Sequence, residues 1–247
     1  MRTAVPHPVL DRYYRDHDER PAFVSGLFDA AAEYYDRVCD VMALGSGQLY
    51  RRQALARAGL APGMRLLDLA TGTGLVARAA EPLLGGPRGM IGLDASAGML
   101  RQAGKRSAMP LVQGRAESLP FRSDLFDFAS MGYALRHMTD LEVTFRECLR
   151  VLKPGGRLLI LEISRPRSPL ARWAIQGYLQ TILPMVARIA THSSAAALLA
   201  RYYWDTIAEC VPPDVILSFL RSTGFAGVDR HVIGGLISEY AATKPRA

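Results

Sequence analysis

Short apolar runs alternate with amphipathic stretches through the middle of the chain. Apolar runs bounded by turn residues predict five buried strands, at 65–69, 89–93, 110–113, 126–131 and 156–163. Between them, apolar residues recur at helical spacing, most clearly over 75–84 and 140–152. This alternation predicts an α/β fold with a doubly wound, mostly parallel sheet whose ligand crevice lies at the carboxyl ends of the strands.

Helical patterns precede the first strand. Residues 1–22 are polar and predict an extended or frayed lead-in, whereas 23–60 predict at least two helices that begin a single domain over 23–247. These helices either cover a sheet edge or close over the ligand pocket. In the second case, an aromatic side chain faces the ligand: Phe28, Tyr34 or Tyr35.

After the fifth strand, residues of about 165–210 predict a helical cap. Its uncharged run at 173–187 is too short to span a bilayer. Two interpretations stay open: the cap only packs on the domain, or its apolar face also receives an apolar substrate or touches a membrane. A helix at 214–223 and antiparallel strands at 227–232 and 236–243 complete a seven-stranded sheet.

Composition narrows the class of protein. The 247 residues, 49% of them hydrophobic, suit one large α/β domain with a helical addition. The net charge of +7 is nearly all arginine, but no arginine-rich block or aromatic–basic tract predicts a nucleic-acid partner. Cys39, Cys148 and Cys210 lack the spacing of a disulfide framework or a metal site. With no signal peptide at the start, these features predict a cytoplasmic protein without a bound metal.

The best candidate for a ligand site is the glycine-rich turn after the first strand. Gly72 and Gly74 let the backbone approach a ligand closely, and the helix that follows directs its positive end there. Asp94 ends the second strand, where an open parallel sheet binds the two hydroxyls of a ribose.

The turn also indicates which ribose ligand fits. Arg78 and Ala79 stand where a dinucleotide fingerprint has its third glycine, and no lysine follows for a triphosphate loop. Asp68 before the turn and Asp94 after it fit a nucleoside with a cationic tail, S-adenosylmethionine. The alternative is a tight turn that binds no ligand.

The motifs as a set resemble a known family. LLDLATGTG, GLDASAGML, VQGRAESLPF and RVLKPGGRLLILEISRP follow one another as in class I, Rossmann-like S-adenosylmethionine-dependent methyltransferases. FDAAAEYYD, YALRHMTD and ILEISRP resemble more closely the ubiquinone/menaquinone biosynthesis C-methyltransferase family. The resemblance implies a methyl-transfer enzyme, with S-adenosylhomocysteine as its product, and cofactor contacts from Tyr35, Asp68, Ala70, Gly72, Thr73, Asp94, Ala95, Met99, Arg115, Ala116 and Gly132.

The resemblance also implies which part of the cofactor each residue contacts. The turn would hold the methionine portion, with Asp68 near its ammonium, and Asp94 would bind the ribose. The residues that would pack on or edge the adenine are Ala95, Met99, Arg115 and Ala116. Arg115 has only donors where the family has an acceptor, so the adenine contact there falls to the backbone N–H of Ala116. Gly132 would line the sulfonium end, and Tyr35 would close over it.

Other residues depart from the family pattern. Cys39, Gly47 and Tyr50 replace the family's Asn, His and Trp in the part expected to face the methyl acceptor. The segment 201–214 also differs from the family's usual sequence. These departures make the acceptor harder to predict than the cofactor.

Methylation of carbon needs a base or a cation near the acceptor, because carbon is a poor nucleophile. Arg136 matches the family's arginine and would stabilise a phenolate or position a water; alternatively it pairs with Asp140 or Glu162. His137 suits a general base; alternatively it is a surface or capping histidine. Weaker candidates for the acceptor pocket lie in the cap: His192, Tyr202, Tyr203 and Trp204.

Together these features predict an enzyme that moves a methyl group to a carbon of an apolar small molecule, such as a prenylated quinol, another aromatic or an isoprenoid. The alternatives are O- or N-methylation of a specialised metabolite and a non-catalytic scaffold subunit. The sequence leaves open contact with the inner face of the membrane and a homodimer.

Overall fold

Seven strands form one sheet in the part of the chain that the computed structural model describes, residues 4–43, 45–166, 168–191 and 193–246. The strands are β1 (Leu66–Leu69), β2 (Met90–Asp94), β3 (Leu111–Gln113), β4 (Phe126–Gly132), β5 (Leu152–Ile163), β6 (Ala226–Ile233) and β7 (Ile237–Thr243). Their order is β3-β2-β1-β4-β5-β7-β6. The first five are parallel, and β7 runs antiparallel to both β5 and β6. The predicted doubly wound, mostly parallel sheet is confirmed.

Helices cover the sheet. They are α1 (Arg20–Ala31), α2 (Tyr35–Met42), α3 (Gly47–Arg57), α4 (Leu75–Leu84), α5 (Ala97–Gly104), α6 (Leu141–Val151), α7 (Pro169–Gly177), α8 (Leu183–Thr191), α9 (Ser194–Glu209) and α10 (Pro213–Ser222). A π-helical turn, Tyr178–Ile182, joins α7 to α8. In the described residues, no helix is long and apolar enough to cross a membrane.

Two predicted boundaries at α6 were wrong. The helix predicted over 140–152 begins one residue later, at Leu141, because Asp140 is its cap and its carboxylate accepts from the N–H of Val143 at 3.0 Å. Strand β5 begins at Leu152, which pairs with Phe126 of β4. The register then shifts until Arg157, so the Pro-Gly-Gly segment is an irregularity within the strand rather than its start.

The lead-in before α1 follows a largely irregular path, but it is not frayed. Ala4 and Tyr14 are buried. The carbonyl of Ala4 accepts from the N–H of Leu141 at 2.8 Å, and that of Pro6 accepts from the N–H of Val211 at 2.7 Å. The polar lead-in therefore crosses the domain surface between α6 and the end of α9.

The cap has a hydrophobic core of its own, separate from the cores beside the sheet. Leu199 and Trp204 of α9 pack there with Leu27 of α1 and Leu183 of α8. The N-terminal helices and the cap thus support each other over the carboxyl ends of the strands. On the outer side, Leu170 and Trp173 are each 75% exposed.

Candidate active site

A cavity opens at the carboxyl ends of the parallel strands, beneath α1 and α2. Its empty volume is about 830 Å³, part of it open to solvent. Most of the predicted site residues line it: Tyr35, Ala70, Gly72, Asp94, Ala95, Met99, Arg115, Ala116, Gly132 and His137. Asp68, Thr73 and Arg136 lie outside this lining.

The backbone is strained where two strands enter the cavity. Ala70, after β1, has φ 48°, and Tyr133, after β4, has φ 59°. Both are left-handed backbone conformations that residues other than glycine rarely adopt, and each costs about 1–3 kcal/mol. Gly72 has φ 57°, and a Cβ there would meet nothing within 4 Å, so the turn leaves open space for a ligand.

Asp94 fits the ribose role. Its Oδ2 accepts from the N–H of Gly72 at 2.8 Å and its Oδ1 from the N–H of Ser96 at 2.8 Å. Burial raises the pKa of this carboxyl to about 6. Each oxygen keeps free lone pairs beside the cavity, which is what two ribose hydroxyls need.

Asp68 and Thr73 support the turn from behind. Asp68 is buried and accepts from the hydroxyls of Thr71 and Ser130, each at 2.6 Å. Burial raises the pKa of its carboxyl to about 6. The Thr73 hydroxyl donates to Asp36 on α2. These contacts fix the turn, and the role of either residue at the cofactor itself stays a prediction.

Two aspartates that the sequence analysis did not select hold the N-terminal helices over the cavity. Asp36 accepts from Thr73 and, at 2.7 Å, from the guanidinium of Arg78. Asp29 accepts from the hydroxyl of Ser96 and from the N–H of Gly98, both at 2.6 Å. Both belong to the motif FDAAAEYYD, so the motif could have led the sequence analysis to these two aspartates.

These anchors decide between the two roles considered for the N-terminal helices. Phe28 and Tyr35 line the cavity, and Tyr34 is absent from the described lining. Pro21, Val24 and Ser25 of α1 line it as well. The helices therefore close over the pocket.

At the adenine end, Arg115 and Ala116 both line the cavity. The Arg115 guanidinium donates to the Thr139 hydroxyl and lies 3.5 Å from the carboxylate of Glu117. These partners engage the Arg115 side chain, and the contact between the backbone of Ala116 and adenine stays a prediction.

Arg136 is buried in an ion pair. Its guanidinium pairs with Glu162 and donates to the carbonyl of Tyr133 at 2.9 Å and the hydroxyl of Thr206 at 3.1 Å. Asp140, the other partner considered, caps α6 instead. Arg136 thus fixes the loop after β4, and direct contact with an acceptor would require it to leave Glu162.

His137 is placed differently, at the cavity wall. Its ring stacks on Tyr202 with centroids 5.5 Å apart and meets the edge of Phe28 at 5.3 Å. Both ring nitrogens are buried without a hydrogen-bond partner among the described residues. Burial, with Arg136 and Arg20 nearby, holds the pKa of the imidazole well below 6.5. The ring is therefore neutral at neutral pH, and it is neither a surface nor a capping histidine.

Two of the remaining acceptor-side candidates, Tyr203 and Trp204, are absent from the described lining. Tyr203 and Trp204 are buried in the cap core, and His192 falls outside the described residues. The expectation that Cys39, Gly47 and Tyr50 face the acceptor was wrong for this cavity, because they too are missing from the described lining.

One of these departures, Gly47, lies beside a residue that contacts the cavity lining. A Cβ at Gly47 would stand 2.6 Å from Nη1 of Arg51. The Arg51 guanidinium lies 5.4 Å from the ring centroid of Tyr133, which does line the cavity.

In the described chain, no group of three or more His, Cys, Asp or Glu residues is arranged to hold a metal ion.

Sequence comparisons agree with this geometry. The model of the ubiE/COQ5 methyltransferase family matches residues 15–244. A demethylmenaquinone methyltransferase of Mycolicibacterium paratuberculosis is 33% identical over 92% of this chain and 96% of that protein. One from Corynebacterium kroppenstedtii is 34% identical over 93% of this chain and 97% of that protein.

Solved structures share the fold. An S-adenosylmethionine-dependent methyltransferase of Aquifex aeolicus superposes with a TM-score of 0.58 at 15% identity, over 85% of this chain and 97% of that one. A phosphoethanolamine N-methyltransferase of Haemonchus contortus, complexed with S-adenosylmethionine, superposes with a TM-score of 0.56 at 19% identity, over 78% of this chain and 52% of that one.

Proposed function

Because the chain belongs to the ubiE/COQ5 methyltransferase family and is an S-adenosylmethionine-dependent methyltransferase, we propose that it methylates a ring carbon of an apolar quinol. The observation that supports this acceptor is the composition of one continuous cavity. Asp94 suits a ribose in one part. The other part is lined by Val24, Phe28 and His137, whose ring nitrogens have no hydrogen-bond partner among the residues that the structure describes. A flat aromatic ring with a hydroxyl matches such a wall.

The cofactor and the protein make different contributions to the reaction. S-adenosylmethionine, when bound, supplies a methyl group on a sulfonium that is already a good electrophile. The protein must align the acceptor carbon with it, and positioning of this kind is worth up to about 7–11 kcal/mol. Asp94 and the glycine turn hold the cofactor, and Tyr35 and Phe28 of the covering helices exclude water.

On the acceptor side, His137 binds the ring oxygen. A neutral imidazole offers one acceptor and one donor nitrogen, so its N–H donates to the ring oxygen as negative charge develops there. The hydrogen on the carbon that receives the methyl group leaves as a proton. The Arg136–Glu162 pair acts as a positioning element, since it holds the loop that carries His137.

A turnover assay with methyl-labelled S-adenosylmethionine tests the proposal. The acceptors are a demethylated prenyl naphthoquinol, its unprenylated ring and the corresponding methyl ethers, with the label located by mass spectrometry. Label on a ring carbon supports the proposal. Label on oxygen, or none with any quinol, contradicts it, and failure to bind S-adenosylhomocysteine would favour a scaffold subunit.

The outer face of the cap supports contact with a lipid surface. Leu170, Trp173, Ile182 and Met185 are exposed there, between 48% and 75%. No acidic residue occurs between Glu162 and Asp205. Five arginines occur in that interval, Arg165, Arg167, Arg172, Arg188 and Arg201. Apolar side chains beside cations suit the anionic inner face of a membrane, where a prenylated substrate resides.

Sedimentation with vesicles tests this location. The wild type should bind anionic vesicles more tightly than neutral ones, and Trp173→Ser should weaken that binding while turnover on a short-chain quinol stays unchanged. Equal recovery with both vesicle types contradicts membrane contact. A concentration-dependent dimer that Trp173→Ser dissociates would assign the face to the homodimer instead.

A further inference from the structure

Seven buried polar atoms beside the acceptor part of the cavity have no hydrogen-bond partner among the described residues. They are His7 Nε2, Tyr14 Oη, Arg20 Nε, Arg20 Nη1, both ring nitrogens of His137, and Tyr202 Oη. Such atoms are costly in a native protein unless a ligand or ordered water satisfies them. Their concentration in one place indicates a polar subsite.

Arg20 is the charged member of this group. Its side chain is 2% exposed, and no carboxylate lies within ion-pair distance of it in the described chain. One nitrogen, Nη2, donates to the backbone carbonyl of Arg136 at 2.6 Å. The other two have no hydrogen-bond partner at normal geometry among the described residues, and the neutral hydroxyls of Tyr202 and Tyr14 are the groups that most favour the charged guanidinium. A buried guanidinium in this state carries an uncompensated charge.

The neighbouring charges cancel one another. Arg136 is paired with Glu162. Glu117, a carboxylate close enough to act on Arg20, accepts from the N–H of Thr139 at 2.6 Å and lies 3.5 Å from Arg115. Of these groups, Arg20 alone supplies a net positive charge.

Arg20 lies directly beside the acceptor site. The next residue on α1, Pro21, lines the cavity. The carbonyl that Arg20 contacts belongs to the residue before His137, which also lines it. The guanidinium is thus one layer behind the wall that the acceptor touches, where the low dielectric of the interior transmits its field.

We propose that Arg20 makes the acceptor subsite selective for an oxyanion, so that the enzyme takes its acceptor as a phenolate or enolate rather than as a neutral ring. Arg20 is a positioning residue in this assignment, acting through its field, while His137 contacts the ring oxygen. An oxyanion raises the electron density of the adjacent ring carbon, the atom that receives the methyl group. The inference rests on the proposed function, because it concerns the state in which that acceptor binds.

A matched pair of ligands tests the inference without turnover. One is a hydroxynaphthoquinone that is ionised at neutral pH, and the other is its neutral methyl ether. Binding of each to protein saturated with S-adenosylhomocysteine is measured by calorimetry. The wild type should favour the anion by about tenfold, the equivalent of one pKa unit. Equal binding of the two by the wild type overturns the proposal, whatever the variants do.

Three variants test whether Arg20 causes the preference for the anion. Arg20→Gln should abolish it, and Arg20→Lys, which keeps the charge, should retain most of it. Arg146→Gln removes an arginine from an exposed pair with Glu142, neither of which lines the cavity, and should leave the preference unchanged. Persistence of the preference in Arg20→Gln contradicts the role of Arg20.

The outcome is separable from that of the methyl-transfer assay. An enzyme that methylates quinols but binds both ligands equally refutes only the role of Arg20. An enzyme that prefers the anion yet methylates no quinol refutes only the proposed acceptor.

Discussion

The two parts of the cavity are built in opposite ways. In the cofactor part, Asp94 and Asp68 accept hydrogen bonds from neighbours close in the chain or on the adjacent strand. In the acceptor part, His137 and Arg20 have buried nitrogens without a hydrogen-bond partner in the described part of the chain, and their neighbours come from distant segments. A satisfied site is rigid before its ligand arrives, whereas an unsatisfied one needs a ligand to complete it. The contrast separates a generic cofactor site from a selective acceptor site.

Arg136 is expected to give the largest effect, on stability. Arg136→Ala leaves the buried carboxylate of Glu162 unpaired, so it should lower the free energy of unfolding by about 3–5 kcal/mol. Arg146→Ala, which breaks an exposed pair with Glu142, should cost less than about 1 kcal/mol. Denaturant unfolding measures both. Unchanged stability with lost turnover in Arg136→Ala would move this arginine into contact with the acceptor.

Asp94 should control the cofactor part. Asp94→Ala removes a charged acceptor of two ribose hydroxyls, worth about 3 kcal/mol, or about 100-fold in affinity for S-adenosylhomocysteine. Asp229→Ala, at an exposed carboxylate on β6, should not change the affinity. Calorimetry compares the two variants. An unchanged dissociation constant in Asp94→Ala means that the ribose binds elsewhere.

His137 should control the acceptor part. His137→Phe keeps an aromatic ring against Tyr202 and Phe28 but removes both nitrogens. We expect single-turnover methyl transfer to fall by about 100-fold, the lower range for loss of one hydrogen-bond donor to a developing oxyanion. Equal loss of cofactor affinity would show that the ring only shapes the cavity.

The covering helix offers a subtler test. Asp36→Asn weakens the contacts to Thr73 and Arg78 that hold α2 to the glycine turn. It should reduce cofactor affinity by about tenfold, since a charge-assisted hydrogen bond contributes about 1.5–3 kcal/mol. Asp40→Asn, at an exposed position of the same helix, is the control. Loss of affinity in both variants would point to a general defect of α2.

The smallest effect concerns pH. Because burial raises the pKa of Asp94 to about 6, the carboxyl gains a proton as the pH falls through that value. A neutral acid accepts hydroxyl hydrogen bonds less well, so affinity for S-adenosylhomocysteine should weaken several-fold from pH 7.5 to pH 5. Asp94→Asn should flatten this dependence. An equally steep loss in that variant would assign the proton to another group.

The raised pKa values of Asp94 and Asp68 also determine how the stability of the fold changes with pH. The folded state binds these protons at higher pH than the unfolded chain does, whose aspartates titrate near 3.8. Their ionisation therefore opposes folding, and this contribution makes stability rise as the pH falls from above 6 toward 4.

The sequence predicted the cofactor part better than the acceptor part for a physical reason. Strand patterns and the glycine turn are local, and Asp94 follows its strand directly, so spacing sufficed to place them. The partners of Arg136 and Arg20 lie far away in the chain, and only packing of α1, the lead-in and α9 brings them together. The lead-in was predicted to be extended or frayed, and no local pattern in its polar sequence shows the contacts that bury Ala4 and Tyr14.

Measuring two properties on each of two variants tests most directly whether the cavity has separate cofactor and acceptor parts. S-adenosylhomocysteine affinity and the single-turnover rate at saturating cofactor are determined for Asp94→Ala and His137→Phe. We predict that Asp94→Ala loses affinity but keeps most of its single-turnover rate, and that His137→Phe does the reverse. If either variant loses both properties to the same extent while its unfolding transition is unchanged, the cavity does not divide into separate cofactor and acceptor parts.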